Sequence, residues 1–248
     1  MGKWYISTID PHASALARDA GLGIEIAETC TAAELDLRFA ETDAVIREKL
    51  QKISHVVMHG PFNELFPCAI DPKARELARM RYRQAAALAV GYGAEKLVLH
   101  GGYNPWLYYP CWYHEQSVEF WRAFLPEIPE GLTICLENVL EEEPRMLTDI
   151  IGAVGDPRLR LCLDIGHAHA YSGVPIDRWL SVSAPFLSHL HIHNNDGKSD
   201  SHSGLEEGTL PVAEVLERVR ALCPEASCTL EIPDSCASLI WLQAHGLI

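Results

Sequence analysis

The chain has 248 residues, of which 48% are hydrophobic and 22% are charged, and this fits one soluble globular domain with the size of a (β/α)8 barrel. Its formal net charge of -14 argues against a protein whose main surface task is to hold a phosphate backbone, because that task needs clustered Lys and Arg. The charge does not exclude a small anionic substrate.

Strands and helices are predicted to alternate along the chain. Eight short, mostly apolar runs are predicted as strands, at residues 3–9, 23–28, 55–59, 96–100, 132–138, 158–164, 188–193 and 227–232. Each is followed by a segment with helical spacing, at residues 12–20, 32–53, 72–90, 114–125, 144–154, 176–183, 211–222 and 235–245. Eight strand and helix units predict an α/β fold, a single (β/α)8 TIM barrel over residues 1–248.

Six of the predicted strands end in side chains that bind metals. The runs VVMH, KLVLH, TICLE, RLCLD, HLHIH and CTLE each place an ionisable group at a strand's carboxyl end. In a barrel these ends meet at the face where enzymes keep their chemistry, so we expect a shared metal site there. A doubly wound sheet, the alternative fold, would not converge six strand ends on one point.

Four of these residues have the composition of one divalent-metal site. Glu137 and Glu231 lie on strands five and eight, with Asp164 and His191 on the two strands between them. A mixed set of carboxylates and imidazole suits Zn²⁺ or Mn²⁺, whereas Mg²⁺ and Ca²⁺ prefer oxygen ligands alone. The segment LDIGHAHA adds His167, which we expect on the loop just past strand six and favour as a site residue over His169.

The segment LHIHNNDGKSDSH supplies the remaining loop candidates. We expect strand alternation to let only one of His191 and His193 face inwards. Asp200 and His202 lie two residues apart and can clamp a cation together. A solvated turn is the alternative for this loop, because it is rich in turn-forming residues.

The segments HGPF, LVLHGG, LEN, LDIGHAHA, HIHNNDGKSDSH and LEI resemble the xylose isomerase-like TIM-barrel superfamily, from about strand two to strand eight. That superfamily joins sugar isomerases and epimerases with the endonuclease IV family of apurinic-site nucleases. Its sugar epimerases hold one divalent metal with a set that falls here on Glu137, Asp164, His191 and Glu231, and its DxxH pattern gives His167 a further ligand or substrate-binding role. The endonuclease branch holds three zinc ions with nine ligands, for which the candidates are His59, His100, Glu137, Asp164, His167, His191, Asp200, His202 and Glu231.

An aromatic segment, GGYNPWLYYPCWYHEQ, follows strand four. Tyr103 and Trp106 in it are candidates for stacking on a sugar, and His167 and His193 are the other substrate-binding candidates. Packing as a lid or as a homodimer contact is the alternative for this segment, and a wedge for nucleic acid is the least favoured.

Two reaction classes follow from these residues. As a sugar, sugar phosphate or polyol isomerase or epimerase, the chain would use Glu137 and Glu231 to move a proton through a metal-stabilised enediolate. As a zinc phosphodiesterase of the endonuclease IV type, it would use two or three zinc ions to generate hydroxide, with Glu137 bridging them. Other hydrolase, lyase or dehydratase chemistry and non-catalytic metal binding stay open. We predict the isomerase or epimerase, with one to three ions and zinc favoured over manganese, because the acidic charge favours a small carbohydrate-like substrate over nucleic acid.

The cysteines and the N-terminal segment bear on location. The eight cysteines form no CxxC pair, and we interpret them as reduced thiols. The segment MGKWYISTIDPHAS lacks the apolar stretch of a secretory signal, and no segment reaches the length of a membrane span. We expect a cytoplasmic protein with no membrane partner.

Overall fold

Eight parallel strands close into a barrel in the computed structural model, which describes residues 2–248. Every strand pairs with the next, and the last pairs with the first, so the predicted TIM barrel is confirmed. The strands are β1 (Trp4–Ser7), β2 (Gly23–Ile26), β3 (Val56–His59), β4 (Lys96–His100), β5 (Thr133–Glu137), β6 (Leu159–Asp164), β7 (Leu187–Ile192) and β8 (Ser227–Leu230).

Helices surround the barrel and follow the strands in the chain. Local signals begin some of them: Asp71 caps the helix that starts at Pro72 by accepting a 2.8 Å hydrogen bond from the backbone N–H of Lys73. The helices are α1 (Ala13–Ala20), α2 (Ala32–Asp36), α3 (Phe39–Lys49), α4 (Pro72–Gly91), α5 (Pro110–Phe124), α6 (Arg145–Val154), α7 (Ile165–Tyr171), α8 (Ile176–Ser183), α9 (Val212–Leu222) and α10 (Cys236–Ala244).

Two helical predictions are wrong in detail. The segment predicted as one helix over residues 32–53 is two helices, because the backbone leaves the helical conformation at Arg38, where φ is -120° and ψ is 19°. The helix predicted from residue 114 begins at Pro110 instead. Proline favours the first position of a helix, since its missing N–H needs no partner there. Part of the aromatic segment is therefore helical.

Strand alternation divides the core into two layers. One set of side chains packs between strands and helices, and it includes the fully buried Trp121 and Trp179. The other set fills the barrel itself, with Tyr5, Val57 and Val98 among its apolar members. This inner packing closes the barrel below its carboxyl end, so the barrel is a solid support for residues at the mouth.

All eight cysteines are free thiols, and Cys135, Cys162 and Cys228 lie in buried strands. Within residues 2–248, no helix combines the length and the apolar character that crossing a membrane requires.

Candidate metal centre

The carboxyl ends of β3 to β8 bring their ionisable side chains around one point. Strand register fixes the neighbours, since His100 pairs with Glu137 and Asp164 pairs with His191. Glu137, Asp164, His191 and Glu231 each offer one ligand atom, and these four atoms lie within 4.8 Å of one another. We call these four residues the central group.

Nδ1 of His191 lies at the middle of the central group. Its distances are 2.9 Å to Oε1 of Glu137, 3.0 Å to Oε2 of Glu231 and 3.8 Å to Oδ2 of Asp164. All four side chains are buried. Three carboxylates this close repel one another away from water, so they need compensating positive charge, which a divalent cation would supply.

A pair of histidines extends the central group towards β3 and β4. Nε2 of His59 and Nε2 of His100 lie 3.1 Å and 3.3 Å from the same oxygen, Oε2 of Glu137. Phe62 stacks on the His100 ring with a centroid separation of 4.6 Å. Glu137 thus directs one oxygen at this histidine pair and the other at His191, so it would be able to ligate an ion on either side.

Asp164 also contacts members of a second cluster, which we call the outer group. His167, His193, Asp200 and His202 offer ligand atoms within 4.8 Å of one another. Nε2 of His167 and Nε2 of His202 each lie 3.1 Å from Oδ2 of Asp200. The rings of His193 and His202 stack with a centroid separation of 4.0 Å. The side chains of Asp200 and His202 are only 21% and 25% exposed, so this part of the loop packs on the mouth and is not a solvated turn.

Backbone carbonyls orient three of the mouth histidines. A ring that donates from Nδ1 to a carbonyl presents Nε2 as its free ligand atom, and this is the usual preparation of a metal-binding histidine. All three Nε2 atoms point at the carboxylates named above. The pairs are Nδ1 of His59 with the Gly60 carbonyl at 2.9 Å, Nδ1 of His167 with the Asn138 carbonyl at 2.9 Å, and Nδ1 of His202 with the Glu231 carbonyl at 2.7 Å.

A helix, and not a loop, follows β6, which corrects the expectation for His167. Asp164 is the N-cap of α7 and accepts a 2.6 Å hydrogen bond from the backbone N–H of His167. The Asn138 side chain bonds both the backbone N–H and the carbonyl of Asp164, at 2.9 Å each. His169 lies further along α7 and pairs instead with Oγ1 of Thr209 at 2.8 Å. The cap holds Asp164 and His167 together at the mouth.

Both His191 and His193 point into the mouth, so the expectation that only one would do so is wrong. Residues two apart share one face of an extended strand, and His193 continues the direction of β7. Nε2 of His193 lies 3.1 Å from both carboxylate oxygens of Asp164. Gly166 makes room for this ring, because a Cβ at that position would overlap it.

Neighbouring charges at the mouth lower the pKa values of the carboxylates Asp164 and Glu137 and raise that of His167. Burial raises the pKa of Asp164, but His167 and His193 outweigh it and lower that pKa to about 2. Burial opposes the charged form of His167, but Asp164 and Asp200 raise its pKa to about 10. The pKa of Glu137 is well below its ordinary value, because His191 and His100 outweigh the effect of burial. The neighbouring histidines therefore favour the ionised form of Asp164 and Glu137.

Two buried polar atoms of the outer group lack a protein partner. They are Nδ1 of His193 and Oδ1 of Asp200. A buried polar atom without a hydrogen bond costs about 1–3 kcal/mol, so such an atom calls for a bound water, an ion or a functional role. The donor set and these two atoms fit a divalent cation at the mouth, with Zn²⁺ or Mn²⁺ suited to the mixture of nitrogen and oxygen.

Glu25 and His189 are two buried residues of the site that were not predicted from the sequence as site residues. Oε1 of Glu25 on β2 lies 3.0 Å from Nε2 of His191, and Oε2 lies 3.1 Å from Nε2 of His189. The available signal was alternation: Glu25 stands between Ile24 and Ile26 in a buried strand, so it points into the barrel. Sequence alone did not say which partner it would meet there.

A cavity of about 460 Å³ opens beside the central group. His59, His202 and Glu231 form one wall, while apolar side chains, including Ile9 and Phe62, form much of the rest. None of the described residues that line it is Lys or Arg. The volume is within the usual range for small-molecule sites.

The aromatic candidates lie differently from one another. Tyr103 is buried, with its ring 4.9 Å from that of Tyr113, whereas Trp106 is 82% exposed. Neither Tyr103 nor Trp106 lines the cavity beside the central group. Their roles in substrate binding stay predictions.

Comparison with known proteins places the chain among related barrels. It is 29% identical over 190 residues to the protein MJ1311 of Methanocaldococcus jannaschii, a match that covers 71% of this chain and 64% of that protein. A solved D-tagatose 3-epimerase-like protein superposes with a TM-score of 0.82 at 20% identity, over 98% of this chain and 96% of that one. The TTHB071 protein of Thermus thermophilus, solved after soaking with ZnCl2, superposes with a TM-score of 0.76 at 25% identity, over 98% and 97% of the two chains.

The family match is nearly complete along the chain. The xylose isomerase-like TIM barrel family matches residues 15–245. This range includes the strands β2 to β8 and every residue of the central group, the histidine pair and the outer group. The chain belongs to the xylose isomerase-like TIM barrel family.

Proposed function

We propose that this protein is a divalent-metal-dependent isomerase or epimerase that acts on a sugar or polyol. One observation carries the proposal: two glutamates, one aspartate and one histidine converge within 4.8 Å at the barrel mouth. Glu137 and Glu231 both approach Nδ1 of His191, from strands on different sides of the mouth. This donor set suits a divalent ion and places two carboxylates beside any substrate that the ion binds.

The chain's own residues would divide the work between binding and proton transfer. His191 and Asp164 would hold the ion together with Glu137 and Glu231. The ion, when bound, would supply positive charge that acidifies a C–H bond between a hydroxyl and a carbonyl group. One glutamate oxygen would then accept that proton and the other glutamate would return one to the opposite face of the carbon. Two carboxylates in unequal surroundings can hold the different protonation states that this exchange needs.

The cavity beside the ion site supports a small and uncharged substrate. Its volume of about 460 Å³ is enough for a monosaccharide. The absence of Lys and Arg among the described lining residues argues against tight binding of a phosphate group away from the ion. The net charge of -14 also argues against a nucleic-acid substrate. The similar barrel of the D-tagatose 3-epimerase-like protein adds support for sugar chemistry.

A zinc phosphodiesterase is the second candidate, and the ligand surplus favours it. The histidine pair on β3 and β4 and the outer group exceed what one ion needs, and Glu137 is placed to bridge two ions. Two or three ions about 3.5–4 Å apart are the arrangement that clamps a phosphoester. The zinc-soaked relative TTHB071 supports zinc as the ion in either case.

Solvent deuterium exchange distinguishes the two candidates. The protein, loaded with Zn²⁺ or Mn²⁺, is incubated in D2O with ketoses and aldoses, and in parallel with bis-p-nitrophenyl phosphate and an abasic-site duplex. The proposal predicts deuterium at a carbon next to a carbonyl group, together with an isomer or epimer, and loss of both in Glu137→Gln. Cleavage of the phosphoesters with no exchange in any sugar would instead establish the second candidate.

The thiol state and the acidic charge also lead us to propose a cytoplasmic enzyme with a small carbohydrate-like substrate. A homodimer stays a prediction.

A further inference from the structure

The barrel interior below the mouth contains one buried carboxylate that the proposed mechanism does not use. Glu25 lies in the middle of β2 and is 1% exposed. A buried carboxylate is costly unless charge or hydrogen bonds compensate it. Oε1 lies 3.0 Å from Nε2 of His191, while Oε2 lies 3.1 Å from Nε2 of His189 and accepts from the Thr229 hydroxyl.

A chain of polar side chains holds Glu25 from below. Nδ1 of His189 lies 2.6 Å from Oγ of Ser227, and Nζ of Lys96 donates to the same Oγ at 2.7 Å. Nε2 of His189 lies 3.1 Å from Oε2 of Glu25, and because a carboxylate only accepts hydrogen bonds, this nitrogen donates to Glu25. Glu25 is therefore fixed on every side.

His191 is oriented the opposite way from three other histidines of the mouth. His59, His167 and His202 give Nδ1–H to backbone carbonyls and direct Nε2 at the carboxylates. His191 is reversed: its Nε2 faces the buried Glu25, and its Nδ1 faces Glu137 and Glu231. A carboxylate only accepts hydrogen bonds, so Nε2 must carry the proton and Nδ1 is the atom left for an ion.

We propose that Glu25 is a positioning residue for the metal centre, because it holds the Nε2 proton of His191 and so makes Nδ1 the metal-binding atom. The inference rests on the metal centre of the proposed function, but not on its sugar chemistry. A carboxylate partner also raises the basicity of an imidazole ligand, so Glu25 strengthens the affinity of the site for its ion.

Glu25, His189 and His191 are also close enough together to hold an ion by themselves. The contacts argue against this use. Oε2 of Glu25 and both ring nitrogens of His189 also bond to Thr229 or Ser227 outside the trio, and all three side chains are at most 1% exposed. The buried atoms without partners at the mouth belong instead to His193 and Asp200.

Zinc affinity of the protein tests the proposal. Glu25→Gln keeps the size of the side chain and removes its charge, and competition with a chromophoric chelator at fixed pH measures the dissociation constant for Zn²⁺. The expected loss of affinity is about 10–100-fold. The control is Glu28→Gln, just past the end of the same strand, where Glu28 pairs with Lys49 and Thr8 and not with a mouth residue. An affinity of Glu25→Gln equal to that of the control would overturn the proposal.

Nitrogen NMR of the zinc-loaded wild-type protein gives a second readout that needs no variant to fold. Histidine side-chain spectra with ¹⁵N label are expected to show His191 bound to zinc through Nδ1 and protonated at Nε2, with His59 bound through Nε2 if it holds an ion. Zinc on Nε2 of His191, or on His189, would overturn the proposal. Neither readout involves turnover, so failure of the sugar assay with both results intact would refute only the proposed reaction.

Discussion

Both candidate functions require Glu137 as a ligand. They differ in whether they also require the two histidines beside it. His59 and His100 share Oε2 of Glu137, whereas the central group meets Oε1. One ion in the central group needs neither histidine. A multinuclear centre needs both, because an ion between Oε2 and the pair would have few other ligands.

Replacing His100 with Gln tests this division of Glu137. We expect His100→Gln to keep one divalent ion per chain, because the central group retains all four of its members. The measurement is metal content by plasma mass spectrometry after removal of free ions. Loss of every ion from His100→Gln would show that the histidine pair is needed for any metal binding, which favours the phosphodiesterase.

Glu141 provides a pH-dependent prediction outside the ion site. It is buried, its Oε1 accepts from the Tyr113 hydroxyl at 2.7 Å, and burial raises its pKa. A raised pKa in the folded state contributes stability below the unfolded-state pKa of about 4.3 and loses it as pH rises through the folded-state pKa. Glu141→Gln cannot ionise, so its stability relative to wild type should increase from pH 4 to pH 8.

Urea unfolding at the two pH values measures that difference. The solvent-exposed neighbour Glu142 supplies the control, since Glu142→Gln should change stability by less than about 0.5 kcal/mol at either pH. A stability difference between Glu141→Gln and wild type that stays constant with pH would contradict the account of Glu141.

The junction of β6 and α7 packs tightly against the outer group. Asp164 ends the strand and caps the helix, and Gly166 lies against the His193 ring. Gly166→Ala should therefore push that ring out of the outer group and weaken metal binding there by at least about tenfold. Gly152→Ala is the matched control, because a Cβ at that helical position meets the Phe186 ring at an ordinary 3.6 Å.

Calorimetric titration with Zn²⁺ and far-ultraviolet circular dichroism check the Gly166 prediction. We expect Gly152→Ala to bind zinc like wild type and Gly166→Ala to keep the barrel while losing affinity. Equal zinc affinity in the two variants would show that His193 does not depend on the space at Gly166.

Some elements could be predicted from the sequence and others could not. The strands were predictable because they are apolar runs such as TICLE and RLCLD. Each of these two runs ends in an acidic residue, and the register of parallel strands brings Glu137 and Asp164 to the same edge of the barrel. The break at Arg38 between α2 and α3 could not be predicted, because no glycine or proline lies near it in the sequence. The helix α7 was not predicted because Asp164, which caps it, was interpreted only as a metal ligand followed by a loop. Alternation along β2 indicates that Glu25 points into the barrel, but its partners could not be predicted because they come from β7 and β8 at distant positions in the sequence.

For the whole molecule, ion binding and folding should be linked. The ionisable residues of the mouth come from the carboxyl ends of β3 to β7, from the position just after β8, from α7 and from the loop after β7, so an ion there would tie together distant parts of the chain. Binding to the folded state alone adds about 2.7 kcal/mol at an ion concentration of one hundred times the dissociation constant. For a domain of this size that corresponds to a rise in melting temperature of about 5–11 °C.

Differential scanning fluorimetry of the metal-free protein, with and without added Zn²⁺, checks this linkage. The melting temperature should rise in a saturable way and fall again on addition of excess chelator. Mg²⁺ should have a smaller effect, because it binds imidazole poorly and prefers oxygen ligands. A melting temperature that is unaffected by Zn²⁺ would contradict the linkage.

The central claim is that the central group at the barrel mouth binds a divalent ion. The most direct test is the metal content of wild type and Glu137→Gln, both purified without chelator and then equilibrated with Zn²⁺. The account predicts at least one ion per wild-type chain and loss of that ion in Glu137→Gln, because the variant lacks the carboxylate that faces both His191 and the histidine pair. A wild-type protein without bound metal, or a variant that keeps its full complement of ions, would contradict it.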